Sequence, residues 1–185
     1  YNDNVLPWID KELKDHDLRV WSAGCSSGQE PYTLSITTQK YLGSAASLWD
    51  SRILATDISQ KALSLGRSGV YTENELSAIP KDWIPWFFVR ESESTYRVTE
   101  ALRKSVIFKH QNLLDPFSIK KPFHSIFCRN VMIYFDTETK EKLVDKFYAA
   151  LVPGGYFFIG HSESLLTLKN KFTYIRPSIY RKDPL

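Results

Sequence analysis

Methionine is almost missing from this sequence: Met132 is the only one in 185 residues. The chain does not open at an initiator codon, so it is expected to be a processed chain or a piece of a longer one. Cysteine is scarce too. Cys25 and Cys128 lie far apart, without the spacing of a zinc site or a disulfide framework. Two isolated thiols fit a reducing, cytoplasmic setting. No apolar run approaches the roughly 20 residues needed to span a bilayer, so no direct membrane insertion is expected. Charge of one sign is concentrated nowhere: 24 Lys and Arg against 21 Asp and Glu give a net +3. Pairs such as Lys120-Lys121 do not make a basic stripe, and no nucleic-acid partner is expected.

Several motifs are missing as well. The loop at 24–28 fails the dinucleotide pattern G-x-G-x-x-G at its second glycine, and no G-x-x-x-x-G-K-[ST] phosphate loop occurs. No serine sits in a G-x-S-x-G elbow. His16, His110, His124 and His161 show no zinc spacing with one another or with the cysteines, so no metal is expected.

What is present is alternation. Apolar residues at 5, 6, 8, 9 and 13 predict a short opening helix, and 18–23 reads as a buried strand. The small-residue loop 24–28 follows, then a helix starting near Glu30-Pro31 and carrying Leu34, Thr38, Tyr41 and Leu42, ahead of a loop at 43–47. A second strand, 52–56, stops at Asp57, and Ser59 caps a short helix to about Gly66. Strands are predicted at 106–108 and 125–128. Asp136 or Thr137 starts a helix whose apolar positions are Leu143, Val144, Phe147, Tyr148 and Leu151. Pro153-Gly154-Gly155 ends that helix, 156–159 is a strand, and 172–175 pairs with 178–180 as a hairpin around Arg176-Pro177. The pattern is that of an α/β fold with a doubly wound, mainly parallel sheet and a C-terminal antiparallel hairpin. Residues 67–104 break it with Trp83, Trp86, Phe87, Phe88 and short strand-like pieces near Tyr96-Arg97-Val98. They read as a small inserted β-subdomain, since long structureless loops are uncommon in compact domains.

Ligands of open parallel sheets bind beyond the carboxyl ends of the strands, and four features fall there together. The Gly24 to Gly28 loop precedes a helix N-terminus with free N–H donors. Asp57 closes the second strand, where a carboxylate accepts ribose hydroxyls; Ser59 takes the helix-capping role and leaves Asp57 for another. Asn112 follows the third strand, where its amide can meet an adenine edge, although taken singly a turn residue is the plainer reading. Cys128-Arg129-Asn130 ends the fourth strand in an abrupt change from apolar to cationic and amidic, with Tyr134 close behind. An adenosine carrying a cation and an amino acid suits this set, and S-adenosylmethionine is such a molecule. Glu30 is placed to meet its α-amino group.

Longer blocks carry a resemblance. Trp21-Ser-Ala-Gly-Cys-Ser-Ser-Gly-Gln-Glu-Pro-Tyr32, Ala55-Thr-Asp-Ile58 and Phe127-Cys-Arg-Asn-Val-Met-Ile-Tyr-Phe-Asp136 resemble signature segments of the CheR-type chemotaxis-receptor protein-glutamate O-methyltransferases. Gly66-Arg-Ser-Gly-Val-Tyr71, Asn112-Leu-Leu114, Pro153-Gly-Gly155 and Gly160-His-Ser-Glu163 fit the same family in the same order. The resemblance implies a class I, Rossmann-like methyltransferase domain with a cofactor site lined by Gly24, Glu30, Asp57, Asn112, Leu113, Arg129 and Asn130. It implies Tyr134 beside the transferred methyl and a receptor-docking role for the insertion, and the placement of Arg129 and Tyr134 beside the expected pocket makes them the catalytic candidates, one or the other holding the incoming carboxylate. The family's N-terminal helical domain and the arginine of its linker have no counterpart in this sequence. The implied partner is the cytoplasmic helical region of chemotaxis receptors, with the enzyme a monomer.

A glutamate γ-carboxylate, with a reference pKa of about 4.3, is already ionised at neutral pH, so methyl transfer to it needs no general base. His161 is accordingly read as structural. Three rivals stand beside this reading, the most distant a nicotinamide oxidoreductase, disfavoured by the failed glycine pattern. The first is a class I methyltransferase acting on a small molecule or another protein. The second is a non-catalytic S-adenosylmethionine-binding sensor, which would be expected to have lost Asp57 or the Arg129-Asn130 pair.

Overall fold

The computed structural model describes Tyr1 and residues 5–184, without the side chains of residues 9–12, so the expected apolar contact of Ile9 lies outside the described residues. Helix α1 (Val5–Glu12) leads into β1 (Val20–Ala23), α2 (Gln29–Leu42), β2 (Ile53–Asp57) and α3 (Gln60–Ser68). The inserted segment follows as β3 (Val70–Thr72), α4 (Ile84–Phe87), β4 (Phe88–Arg90) and β5 (Thr95–Val98). The main body resumes with α5 (Glu100–Lys104), β6 (Val106–His110), β7 (Phe123–Cys128), α6 (Thr137–Ala150), β8 (Leu151–Ile159), β9 (Thr173–Arg176) and β10 (Ile179–Arg181).

Seven strands form one sheet in the order β6-β2-β1-β7-β8-β10-β9, and three form a second in the order β3-β5-β4. In the large sheet β6, β2, β1, β7 and β8 run parallel, while β10 pairs antiparallel with β8 and β9. The expected doubly wound sheet with a terminal hairpin is what the chain builds. The period-2 alternation of strands explains its two faces. Val20, Ile53, Ala55, Phe127 and Phe158 join a core under α1, α2, α3 and α5. Trp21, Ala23, Ile126, Cys128, Phe157 and Ile159 point the other way into a second core completed by Leu143, Val144 and Phe147 of α6. Trp21 anchors that second core, packing on Phe117, Phe123 and Phe147 and donating its indole N–H to Thr56 at 2.8 Å.

Helix starts follow their caps. Ser59 Oγ accepts from the Ala62 amide, and Asp136 caps α6 by accepting from Thr139 at 2.8 Å. Several expectations are corrected. Residues 43–48 form a 3-10 helix rather than an open loop. Pro153-Gly154-Gly155 does not stop α6, which ends at Ala150; β8 starts at the next residue, and Leu151 belongs to it rather than to the helix. The pairing explains the exchange. Phe123 lies opposite Leu151 but Ser125 lies opposite Tyr156, so β8 bulges between them, with Gly154 at φ +78. The inserted sheet occupies 70–98, narrower than the 67–104 expected, because α3 continues to Ser68 and α5 packs on α2 and β6 of the main body.

Candidate active site

Strand order reverses between β1 and β7: β2 and β6 lie to one side of β1, and β7 and β8 to the other. Loops leaving these strands diverge there and open a crevice. A cavity of about 680 Å³ occupies it, a size suited to a small-molecule ligand. Gly24, Glu30, Asp57, Asn112, Leu113, Arg129, Asn130 and Tyr134 all line it, so every residue singled out from the sequence converges on one space.

The β1–α2 loop is shaped by Gly24 at φ +82 and Gly28 at φ +94, conformations that side-chain-bearing residues avoid. A Cβ on Gly24 would also fall under 3.0 Å from Val131 Cγ2, so the loops after β1 and β7 touch because Gly24 is bare. Asp57 is less free than its position suggested. Its Oδ2 accepts from the Ser26 amide at 2.8 Å, and its Oδ1 accepts from the Ser59 amide at 2.8 Å. These bonds fix the carboxylate and still leave acceptor capacity on each oxygen. Asn112 is also partly engaged: its Oδ1 accepts from the Leu114 amide at 3.0 Å and its Nδ2 lies 3.4 Å from Asp115. The turn role and a cavity-lining role therefore coexist in one side chain.

Glu30 accepts from Ser22 Oγ at 2.7 Å and pairs with Arg129 at 3.2 Å. This ion pair was not foreseen. It commits one of the five guanidinium donors of Arg129 and ties the first turn of α2 to the end of β7. Tyr134 is 80% exposed, at the rim of the cavity. Asn130 holds a left-handed backbone, φ +58, uncommon for a residue with a side chain.

Other lining residues escaped sequence reasoning, among them Cys25, Ile58, Val131 and Phe135. Burial pushes the Cys25 thiol up to about 12, with the Asp57 charge adding to it, so it is no nucleophile at neutral pH. Lys146 of α6 supports one wall from behind, donating to the carbonyls of Leu113 at 2.6 Å and Asp115 at 2.7 Å. A cation in a helix more than thirty residues away carries no sequence signal for that role. His161 is exposed and is not among the lining residues.

The charge of the lining suits S-adenosylmethionine. Two carboxylates, Asp57 and Glu30, against one guanidinium leave the cavity one negative charge, and the cofactor, with a sulfonium, an ammonium and a carboxylate, carries one net positive charge.

Residues 1–180 match the family model described as CheR methyltransferase, SAM binding domain. The chain is 39% identical over 186 residues to a chemotaxis protein methyltransferase of Borreliella burgdorferi, covering 98% of this chain and 65% of that one. It is 38% identical over 178 residues to the chemotaxis protein methyltransferase of Escherichia coli, covering 91% of this chain and 62% of that one. The chain thus spans somewhat under two thirds of the length of these relatives. A crystal structure of an S-adenosylmethionine-dependent methyltransferase from Mesorhizobium loti aligns with a TM-score of 0.44 at 17% identity, over 83% of this chain and 51% of that one. Among the described residues, no helix is long and apolar enough to cross a membrane.

Proposed function

The chain belongs to the CheR methyltransferase, SAM binding domain family, and from that premise we propose that it transfers a methyl group from S-adenosylmethionine to glutamate γ-carboxylates in the cytoplasmic helical region of chemotaxis receptors. The observation that carries this reading is the meeting of Glu30, Asp57, Asn112, Arg129, Asn130 and Tyr134 around one cavity at the sheet's switch point.

When bound, the cofactor supplies an electrophilic methyl on a sulfonium. The chain's residues hold and orient. Asp57, locked by the Ser26 and Ser59 amides, offers its remaining lone pairs to the ribose hydroxyls. Glu30, held by Ser22 and Arg129, receives the α-ammonium. Asn112 and Leu113 flank the adenine, the former with its uncommitted amide hydrogen and the latter with its buried apolar side chain. The incoming carboxylate is ionised at neutral pH, so these residues need not remove a proton from it. The remaining donors of Arg129 and the Tyr134 hydroxyl hold it in line with the methyl group. Alignment of this kind supplies roughly 7–11 kcal/mol in favourable cases. The small inserted subdomain, with Trp86 of α4 77% and Val89 of β4 58% exposed, is the receptor-docking element in this reading.

The test is incubation with methyl-labelled cofactor and either receptor cytoplasmic fragments or small carboxylic acids. Base-labile label on receptor glutamates is the expected result. Label on small acids alone would replace the receptor assignment with a small-molecule one. Cofactor binding without transfer to either would leave a sensor module.

A further inference from the structure

The walls of the cavity need something to hold them, and the loop after β7 is held by a side chain from outside it. It places Asn130, Val131 and Tyr134 on the cavity, and Asn130 sits at φ +58. For a residue with a side chain, a sparsely populated conformation persists only where its surroundings enforce it. The enforcing group comes from a different loop. Glu163, in the turn after β8, reaches across with its carboxylate: Oε2 accepts from the Asn130 amide at 3.0 Å and the Gly160 amide at 2.6 Å, and Oε1 accepts from the Met132 amide at 2.9 Å. Three charge-assisted bonds from two loops thus meet on one side chain. The approach depends on Gly160, since a Cβ there would collide with Asn130 Oδ1 and Glu163 Oε2.

We infer that Glu163 is a positioning residue: its carboxylate clamps the Asn130–Met132 backbone in the conformation that shapes the cofactor cavity. It does not line that cavity and acts through the loop it holds. Its charge is felt next door, where the Cys128 thiol is raised first by burial and then by Glu163. Charge and geometry together require a carboxylate. Glutamine has the same size but one acceptor oxygen, so in either orientation its amino group faces a backbone N–H where an acceptor is needed. The inference rests on the proposed cofactor reading only for the choice of S-adenosylhomocysteine as probe.

The experiment compares the wild-type chain with Glu163→Gln by amide hydrogen exchange and by titration with S-adenosylhomocysteine. In Glu163→Gln, exchange at one or more of the amides of Asn130, Met132 and Gly160 rises at least about tenfold, β7 amides stay protected, and affinity falls on the order of tenfold. A packing role alone predicts that this isosteric variant matches wild type in both measurements, and that match would overturn the clamp. Should the variant not fold, the wild-type chain decides: the three amides exchange slowly if they are clamped, and exchange at the rate of unprotected loop amides refutes the inference. A wild-type chain that takes no S-adenosylhomocysteine sinks the cofactor reading, while its exchange pattern still decides the clamp.

Discussion

Replacing Gly24 by alanine tests how the β1 and β7 loops meet. Gly24 stands at φ +82, and holding a side-chain-bearing residue in so sparsely populated a conformation costs about 1–3 kcal/mol. The new Cβ would also fall under 3.0 Å from Val131 Cγ2. Val131 cannot step aside freely, because Asn130 and Met132 on either side of it are bonded to Glu163. Overpacking against a held neighbour adds about 1–3 kcal/mol. The sum, roughly 2–6 kcal/mol, is a large part of a typical domain's stability of about 5–15 kcal/mol. Chemical denaturation of Gly24→Ala against wild type reads this directly, and titration with S-adenosylhomocysteine reads the cavity, where at least a tenfold loss is expected. A denaturation free energy within 0.5 kcal/mol of wild type, with unchanged affinity, would refute the argument that the bare glycine sets the spacing of these loops.

His124 predicts an acid sensitivity. Buried at 2% exposure, it accepts the Arg19 amide on Nδ1 at 3.0 Å, and burial together with the Arg19 charge holds its pKa at about 4 against an ordinary 6.5. The unfolded chain then binds more protons than the folded one between those values. Stability is full above pH 6.5 and declines as pH falls toward 4, by about 3 kcal/mol in total. His124→Asn, which keeps an acceptor near Nδ1, should flatten this part of a pH–denaturation profile, and an unchanged slope would count against it. Lys146→Met keeps the stem and its packing but strips the donor from the Leu113 and Asp115 carbonyls. A stability loss of about 1–3 kcal/mol and weaker S-adenosylhomocysteine binding are expected, readable by denaturation and calorimetry.

The parts of this molecule that were legible in its sequence are those written locally. Ser59 and Asp136 cap the helices they precede, and the strand that turns cationic after Cys128 does end at the cavity. Alternation revealed the parallel sheet, and the rule for strand ends then located the crevice. What was not legible depends on neighbours far along the chain. Pro153-Gly154-Gly155 looks like a helix stop in isolation, and only its pairing with β7 shows it to be a bulge. The Glu30–Arg129 pair joins residues 99 positions apart, and Glu163 meets the Asn130 amide across 33. Asp57 was expected to be spared by Ser59, yet it accepts the amide of Ser59 itself, because a carboxylate two residues ahead of the N-cap readily forms an Asx turn.

The central claim is that Asp57, fixed by two backbone amides at the end of β2, holds the sugar of S-adenosylmethionine. Calorimetric titration of the wild-type chain and Asp57→Ala with S-adenosylhomocysteine tests it most directly. One-to-one binding by wild type, weakened about thirtyfold or more in the variant as two charge-assisted bonds are lost, is the predicted result. Equal affinity in the two proteins, or no binding by wild type, would contradict it.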